Sequence, residues 1–245
     1  MVRCDHGGMS TVRIERRFRG PPTSGNGGYV AGLVAAALGG SNCTVTLKAP
    51  PPIDEDLTLE TDGEAASLFS DDAVVVSAAK EPVEIDVPPP PSLADARDAE
   101  PRFAGHSHHI FPGCFVCGPE RKAGDGMRIF PGALHDRLHR VAASWTPDET
   151  VADGSGVVRP EFLWAALDCP GYFAVGDDAG LALLGRMSAV LHREVHAGEP
   201  LVVSGWPIAT EGRKHRVGSA LHDANGELVA AATATWITLN EESED

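Results

Sequence analysis

Two stretches of the chain are apolar on every side, and each is followed by short runs of strand character. The first, residues 28–38, is made of small and branched residues and ends at Gly39-Gly40, a good helix stop. The second, residues 160–175, is apolar apart from Glu161 near its start and Asp168 in its middle. A helix that is hydrophobic all round is a buried one, so both stretches predict central helices. Strands are expected at residues 45–50 and 57–60 after the first, with a turn at 51–56 between them. After the second they are expected at 189–194, 201–210, 215–222 and 228–239. Asp223-Ala224-Asn225-Gly226 carries the Asn-Gly signal of a hairpin. Candidate first strands are residues 12–18 and 138–145.

The two halves align with each other. Leu47 falls on Leu191, Glu55 on Glu199 and Leu57 on Leu201 without a gap; further on, Gly63 pairs with Gly212 and residues 74–76 with 228–230. A duplicated unit is the simplest explanation. Between the halves, Asp86-Val87-Pro88-Pro89-Pro90-Pro91-Ser92 predicts a stiff polyproline spacer. Residues 93–100 are polar and without clear period. A boundary near residue 97 gives two domains, 1–96 and 97–245. Runs of strands after a single helix argue for an α+β fold with antiparallel sheet rather than a nucleotide-binding βαβ arrangement. Ser24-Gly25-Asn26-Gly27-Gly28 also lacks the spacing of a dinucleotide fingerprint.

At 245 residues, 42% hydrophobic and 22% charged, the chain can bury a sizeable core. The formal net charge of -15 argues against nucleic acid as a partner. Residues 1–19 have no apolar segment of the secretory kind, so no signal peptide is expected. The longest apolar runs are too short for a bilayer, so no membrane span is expected. The five cysteines form no disulfide framework, which points to a reduced, cytoplasmic compartment.

Asp168 is the residue that changes this picture most. A carboxylate inside a buried helix is costly unless paired, hydrogen-bonded or functional, and such groups are catalytic candidates. The plainer alternative puts Asp168 in a solvated last turn, because Pro170 disfavours helix at Cys169. Against that, acids are unfavourable at helix C-termini, and apolar residues resume at Tyr172. His106, His108, His109, Cys114 and Cys117 invite a zinc reading. There is one Cys-x-x-Cys knuckle, however, and no later pair at finger spacing. Small buried thiols are the expectation, with no metal and no other cofactor. A thioredoxin-like role would need a βαβ context that is missing.

Four features, in order, carry a family resemblance: Asn26-Gly27-Gly28 before the first helix; Cys114-Phe115-Val116-Cys117-Gly118-Pro119 followed by Gly126-Met127-Arg128-Ile129-Phe130; the acid on the second helix; and the tail from Gly212 to Ala230. Over residues 11–85 and 105–239 the chain resembles the hotdog-fold acyl-CoA thioesterases in their double-hotdog form. The resemblance implies two tandem repeats, each an antiparallel sheet wrapped around a buried central helix, with the site between the halves. Where the family has His-Gly-Gly, the first helix here has Asn26-Gly27-Gly28, while the second begins Arg159-Pro160-Glu161. With Glu161 in the last glycine position, Asp168 lies seven residues on, at the place of the family's acid. The same count from Gly28 reaches Ala35, which implies one active site per chain.

The implied reaction is hydrolysis of an acyl-CoA-like thioester. A helix N-terminus offers free N–H groups as an oxyanion hole, here the first turn after Pro160. Asp168 would be general base or nucleophile. Asn26 would complete the site from the other half, although its plainer reading is an N-cap. Glu161 and Ser188 are lesser candidates, the first also suited to the helix dipole, the second also a hydrogen-bonded strand serine. Arg213, Lys214 and Arg216 could hold CoA phosphates or simply solvate a hairpin tip. The alternatives are a hotdog hydratase or dehydratase, which would want an Asp and His pair near a helix start, and a non-catalytic acyl-binding protein. Open sheet edges suggest a homodimer.

Overall fold

In the computed structural model, residues 8–136 and 138–240 are described. The chain runs β1 (Gly8–Arg13), α1 (Gly27–Ala36), β2 (Cys43–Leu47), β3 (Asp56–Thr61), β4 (Ala65–Ser70), β5 (Ala73–Lys80) and α2 (Leu93–Ala99). It continues through β6 (Gly132–Ala133), β7 (Val141–Trp145), α3 (Pro160–Phe173), α4 (Gly176–Ala179), β8 (Ala182–Leu191), β9 (Leu201–Glu211), β10 (Lys214–Asp223) and β11 (Leu228–Thr238). The strands form one antiparallel sheet in the order β1-β3-β4-β5-β2-β8-β11-β10-β9-β7-β6. Read outward from the β2–β8 junction, the next strands are β5, β4, β3 and β1 on one side and β11, β10, β9 and β7 on the other. Each side thus takes the strand after its helix first, then the remaining strands in the same sequence. The α+β expectation with antiparallel sheet therefore holds. No helix among the described residues is long and apolar enough to cross a membrane.

The sheet wraps two helices that pack against each other. Leu57 and Leu59 of β3 point inward, while Asp56 and Glu60 alternate outward. α1 and α3 run antiparallel at unusually close range, and the small residues of α1 explain why. A side chain at Gly28 would come within 2.5 Å of Asp168 Cβ, and one at Gly32 within 2.6 Å of Glu161 Cα. Trp164 of α3 is fully buried and donates its indole N–H to Gly40 O at 2.9 Å. Phe18, Tyr29, Phe115 and Phe162 stack beside the helix pair, with Phe18 and Tyr29 centroids 4.4 Å apart.

Several boundaries differ from the expectation, each for a local reason. The first strand spans residues 8–13, and residues 16–18 form a 3-10 turn instead. Asp54 takes the Arg16 N–H at 2.9 Å and its guanidinium at 3.1 Å, drawing the chain off the ladder. β7 begins at Val141 because Asp136 captures the Leu138 N–H at 2.8 Å and pairs with Arg140. β8 begins at Ala182 and ends at Leu191, earlier than expected at both ends. α3 runs through Pro170 to Phe173, so Asp168 is not in a solvated last turn. Proline removes one helical hydrogen bond there; in the same turn Ser219 Oγ donates to Leu167 O at 2.5 Å.

The segment between the halves forms neither helix nor strand, but it is no free spacer. Ile85 and Val87 pack on Trp206, Ala220 and Ala231 of the second half's sheet, and Arg140 donates to Pro89 O at 2.6 Å. Residues 93–99, expected to be irregular, form α2. Ser92 and Asp95 make a reciprocal capping box at its start, and Ala96 packs with Ala142 and Val202.

Candidate active site

The antiparallel helix pair sets the N-terminus of α1 against the third turn of α3. Asn26 has extended backbone and precedes the first helical residue. Its Oδ1 accepts the Tyr29 N–H at 2.9 Å, the N-cap bond. Its Nδ2 donates to Asp168 Oδ2 at 3.0 Å. The Gly28 N–H donates to the same oxygen at 3.0 Å. So Asn26 has both of the roles weighed for it, one through each end of its amide. Among the described residues the other carboxylate oxygen, Asp168 Oδ1, has no partner. Gly27 also lines the cavity, and its N–H has no acceptor among them either.

Asp168 is only 1% exposed. Burial pushes its pKa up to about 7; the Gly28 N–H opposes this, the Cys114 sulfur adds to it, and Asn26 opposes it. An acid with a pKa there holds and releases a proton near neutrality. Asp168 lies on the wall of a cavity of 620 Å³ that also takes in Asn26, Gly27, Cys114, Tyr172 and Trp236. Ile110, Leu181 and Leu239, three of the exposed large apolar side chains, line the same cavity. Lys48 is the one Lys or Arg on its wall among the described residues, and no sequence signal marked it.

Other candidates are placed elsewhere. Pro160 packs beside Gly40, at the far end of α1. The first turn of α3 is therefore about 12 Å along the helix from Asp168, at 1.5 Å per residue. The donors facing the acid come from α1, not from the turn after Pro160. Glu161 is buried at that far end, against Gly32 and 3.5 Å from Arg159, away from the cavity wall. Ser188 hydrogen-bonds Thr44 at 2.8 Å across the β2–β8 junction. Its neighbours Met187 and Ala189 fill the core, so by alternation Ser188 faces the opposite side of the sheet. It cannot orient a water at Asp168. Arg213 donates to Thr238 O, between Ile237 and Leu239 of the cavity wall. Lys214 and Arg216 are exposed and alternate with buried His215, which bonds Thr210 and Thr238. Neither is on the cavity wall.

The thiols lie within the same wall. Cys114, Cys117 and Cys169 have sulfurs all within 4.8 Å of one another. His109 Nε2 is 3.3 Å from Cys117 Sγ. His106 and His108 are not part of this cluster.

No family model and no curated protein matches this sequence. Solved structures do match, over nearly the whole chain. A tesB protein of Mycobacterium avium subsp. paratuberculosis superposes with a TM-score of 0.65 at 14% identity, covering 98% of this chain and 96% of its own. A candidate thioesterase II from Thermobifida fusca gives 0.61 at 14% identity, over 95% and 92%. A candidate thioesterase from Novosphingobium aromaticivorans gives 0.62 at 12% identity, over 98% of each. The chain has the hotdog fold of the thioesterases. At these identities the likeness is one of fold, and the chemistry has to be argued from this chain's own residues.

Proposed function

We propose that this hotdog protein hydrolyses an acyl-CoA-like thioester at the junction of α1 and α3. The observation that carries the reading is the buried Asp168 carboxylate held against the N-terminus of α1 by Asn26 and Gly28. The Gly27 N–H and the helix dipole are aimed where the carbonyl oxygen gains charge. Asp168 acts as base toward a water, or as nucleophile on the acyl carbon, through the oxygen that has no partner. The acyl chain lies against the apolar wall formed with Ile110, Leu181 and Leu239. Lys48 and Arg213 are the cations suited to the CoA phosphates, rather than Lys214 and Arg216. A hydratase reading is less favoured, since no histidine is among the hydrogen-bond partners of Asp168.

The chain is read as two tandem hotdog repeats joined by the strap at residues 81–92, with α2 belonging to the second. The counterpart site has lost two things together. Ala35, eight residues after Gly27, stands where Asp168 stands eight after Pro160. Pro160, at the place of Gly27, has no N–H to offer. One site per chain follows. A homodimer would form along the open β1 edge.

The test is a screen of purified protein against acyl-CoA esters of graded chain length, with release of free thiol as the signal. Asp168→Asn should lower turnover about a hundredfold or more while leaving the fold intact. Wild-type rates in that variant, or no hydrolysis of any ester by the wild type, would overturn the reading.

A further inference from the structure

Three of the four cysteines among the described residues converge beside Asp168, and the hydrolytic reading uses none of them. Cys114 and Cys117 sit on one tight turn closed by Gly118, whose N–H donates to Cys114 O at 3.0 Å. The turn admits only glycine there: a Cβ at Gly118 would lie 2.5 Å from Cys114 O and from Pro112 O. Cys169 arrives from α3, its sulfur 4.0 Å from that of Cys114. An ion with metal–sulfur bonds of about 2.3 Å in tetrahedral geometry holds its sulfurs roughly 3.8 Å apart. The Cys114–Cys169 pair already has nearly that spacing, and all three sulfurs lie within 4.8 Å of one another.

The groups around the sulfurs are donors. Asn26 Nδ2 lies 3.8 Å from Cys114 Sγ. His109 Nδ1 accepts the Phe111 N–H at 3.0 Å. The neutral ring therefore carries its proton on Nε2 and donates it to Cys117 Sγ. Donors gathered on sulfur suit thiolates, and thiolates buried together need a cation. Hydrogen bonds onto ligating sulfurs are the usual outer support of a metal–thiolate site.

We infer that Cys114, Cys117 and Cys169 bind a zinc ion as three thiolate ligands, with a small molecule from the cavity in the fourth position. Three soft sulfurs select zinc over the oxygen-loving cations. His109 is a supporting donor and not a ligand, because its Nε2 carries a proton. Asp168 is not a ligand either: it falls outside the group of mutually close ligand atoms, and its Oδ2 is turned onto Asn26 and Gly28. The ion joins the Cys114–Gly118 turn to α3 next to the acid. Its role is to position α3, and it takes no part in the hydrolytic step.

The sequence alone pointed away from a metal, because the knuckle has no second pair at finger spacing. The third ligand is a single cysteine on a helix, and only folding brings it in.

The experiment is metal analysis of the full-length protein purified with its thiols reduced, followed by exchange of the bound ion for Co²⁺. One zinc per chain is expected, and the cobalt form should show thiolate-to-cobalt charge-transfer bands with tetrahedral d–d bands. Cys169→Ser should abolish stoichiometric zinc, whereas Cys43→Ser should retain it. Asp168→Asn should be inactive yet zinc-replete, so the metal site and the hydrolytic reading stand or fall separately. Folded wild-type protein that holds no zinc and takes up neither Zn²⁺ nor Co²⁺ would overturn the site, whatever the cysteine variants do. Stoichiometric copper in place of zinc would overturn the choice of ion, and loss of zinc in Asp168→Asn would overturn the three-thiolate ligand set.

Discussion

Asn26 shows how one side chain can serve stability and chemistry at once. Its oxygen caps α1 and its nitrogen holds Asp168. Serine caps about as well as asparagine but has no second donor to send across to α3. Asn26→Ser should therefore leave the melting temperature close to wild type while reducing turnover about tenfold, the loss of one donor; an equal loss of fold and activity would show that the cap is all that matters. Asp168 was legible because an acid in an apolar helix stands out in any reading of the sequence. Lys48 was not, because a single lysine after a strand carries no pattern, and only the cavity gives it a place. His222 is a buried group outside the site, 3% exposed on β10, and burial holds its pKa below the ordinary value of 6.5, against a smaller opposing effect of Asp223. Protonation is thus disfavoured in the folded state relative to the unfolded one. Stability from this residue is fully present above 6.5 and is lost as pH falls below it. Melting curves taken between about pH 7 and pH 5 should fall less steeply for His222→Gln than for the wild type.

At the scale of elements, the decisive contact is glycine against helix. α1 looked like a buried helix from its composition, and it is one, but composition did not say which helix it meets. Gly28 and Gly32 lie one turn apart on a single face, and that face receives Asp168, Trp164 and Glu161. A methyl at Gly32 would strike the α3 backbone at Glu161 Cα, where no side chain can rotate out of the way. Gly32→Ala should cost about 1–3 kcal/mol, the range for overpacking, read as a shift in the denaturation midpoint. An unchanged midpoint would mean that the helices can separate freely. Strand positions were legible in the second half, where alternation and the Asn-Gly turn agree. They were less so at β1 and β7, where Asp54 and Asp136 capture backbone N–H groups that periodicity cannot see. α2 was written in the sequence as Ser92-x-x-Asp95, a capping box that its polar composition hid.

For the whole molecule, the strap between the halves works as a cover. Ile85 and Val87 lie on the apolar patch of Trp206, Ala220 and Ala231, on the side of the sheet away from the helices. Replacing both by serine should lower stability and promote association at high protein concentration, measurable by light scattering, because exposed apolar surface is adhesive. A monodisperse variant of unchanged stability would show that the strap is only a tether. The prolines announced a segment without helix or strand, but no local pattern could say that it would lie down on a sheet.

The two halves of the candidate site are also made at different times. Asn26, Gly27 and Gly28 leave the ribosome well before Asp168, and the folded chain joins them through bonds from α1 to α3. Domains fold as they emerge, so a nascent or prematurely ended chain carries donors without an acid. The site is complete only once α3 has joined α1, and a fragment that ends before Asp168 lacks the acid.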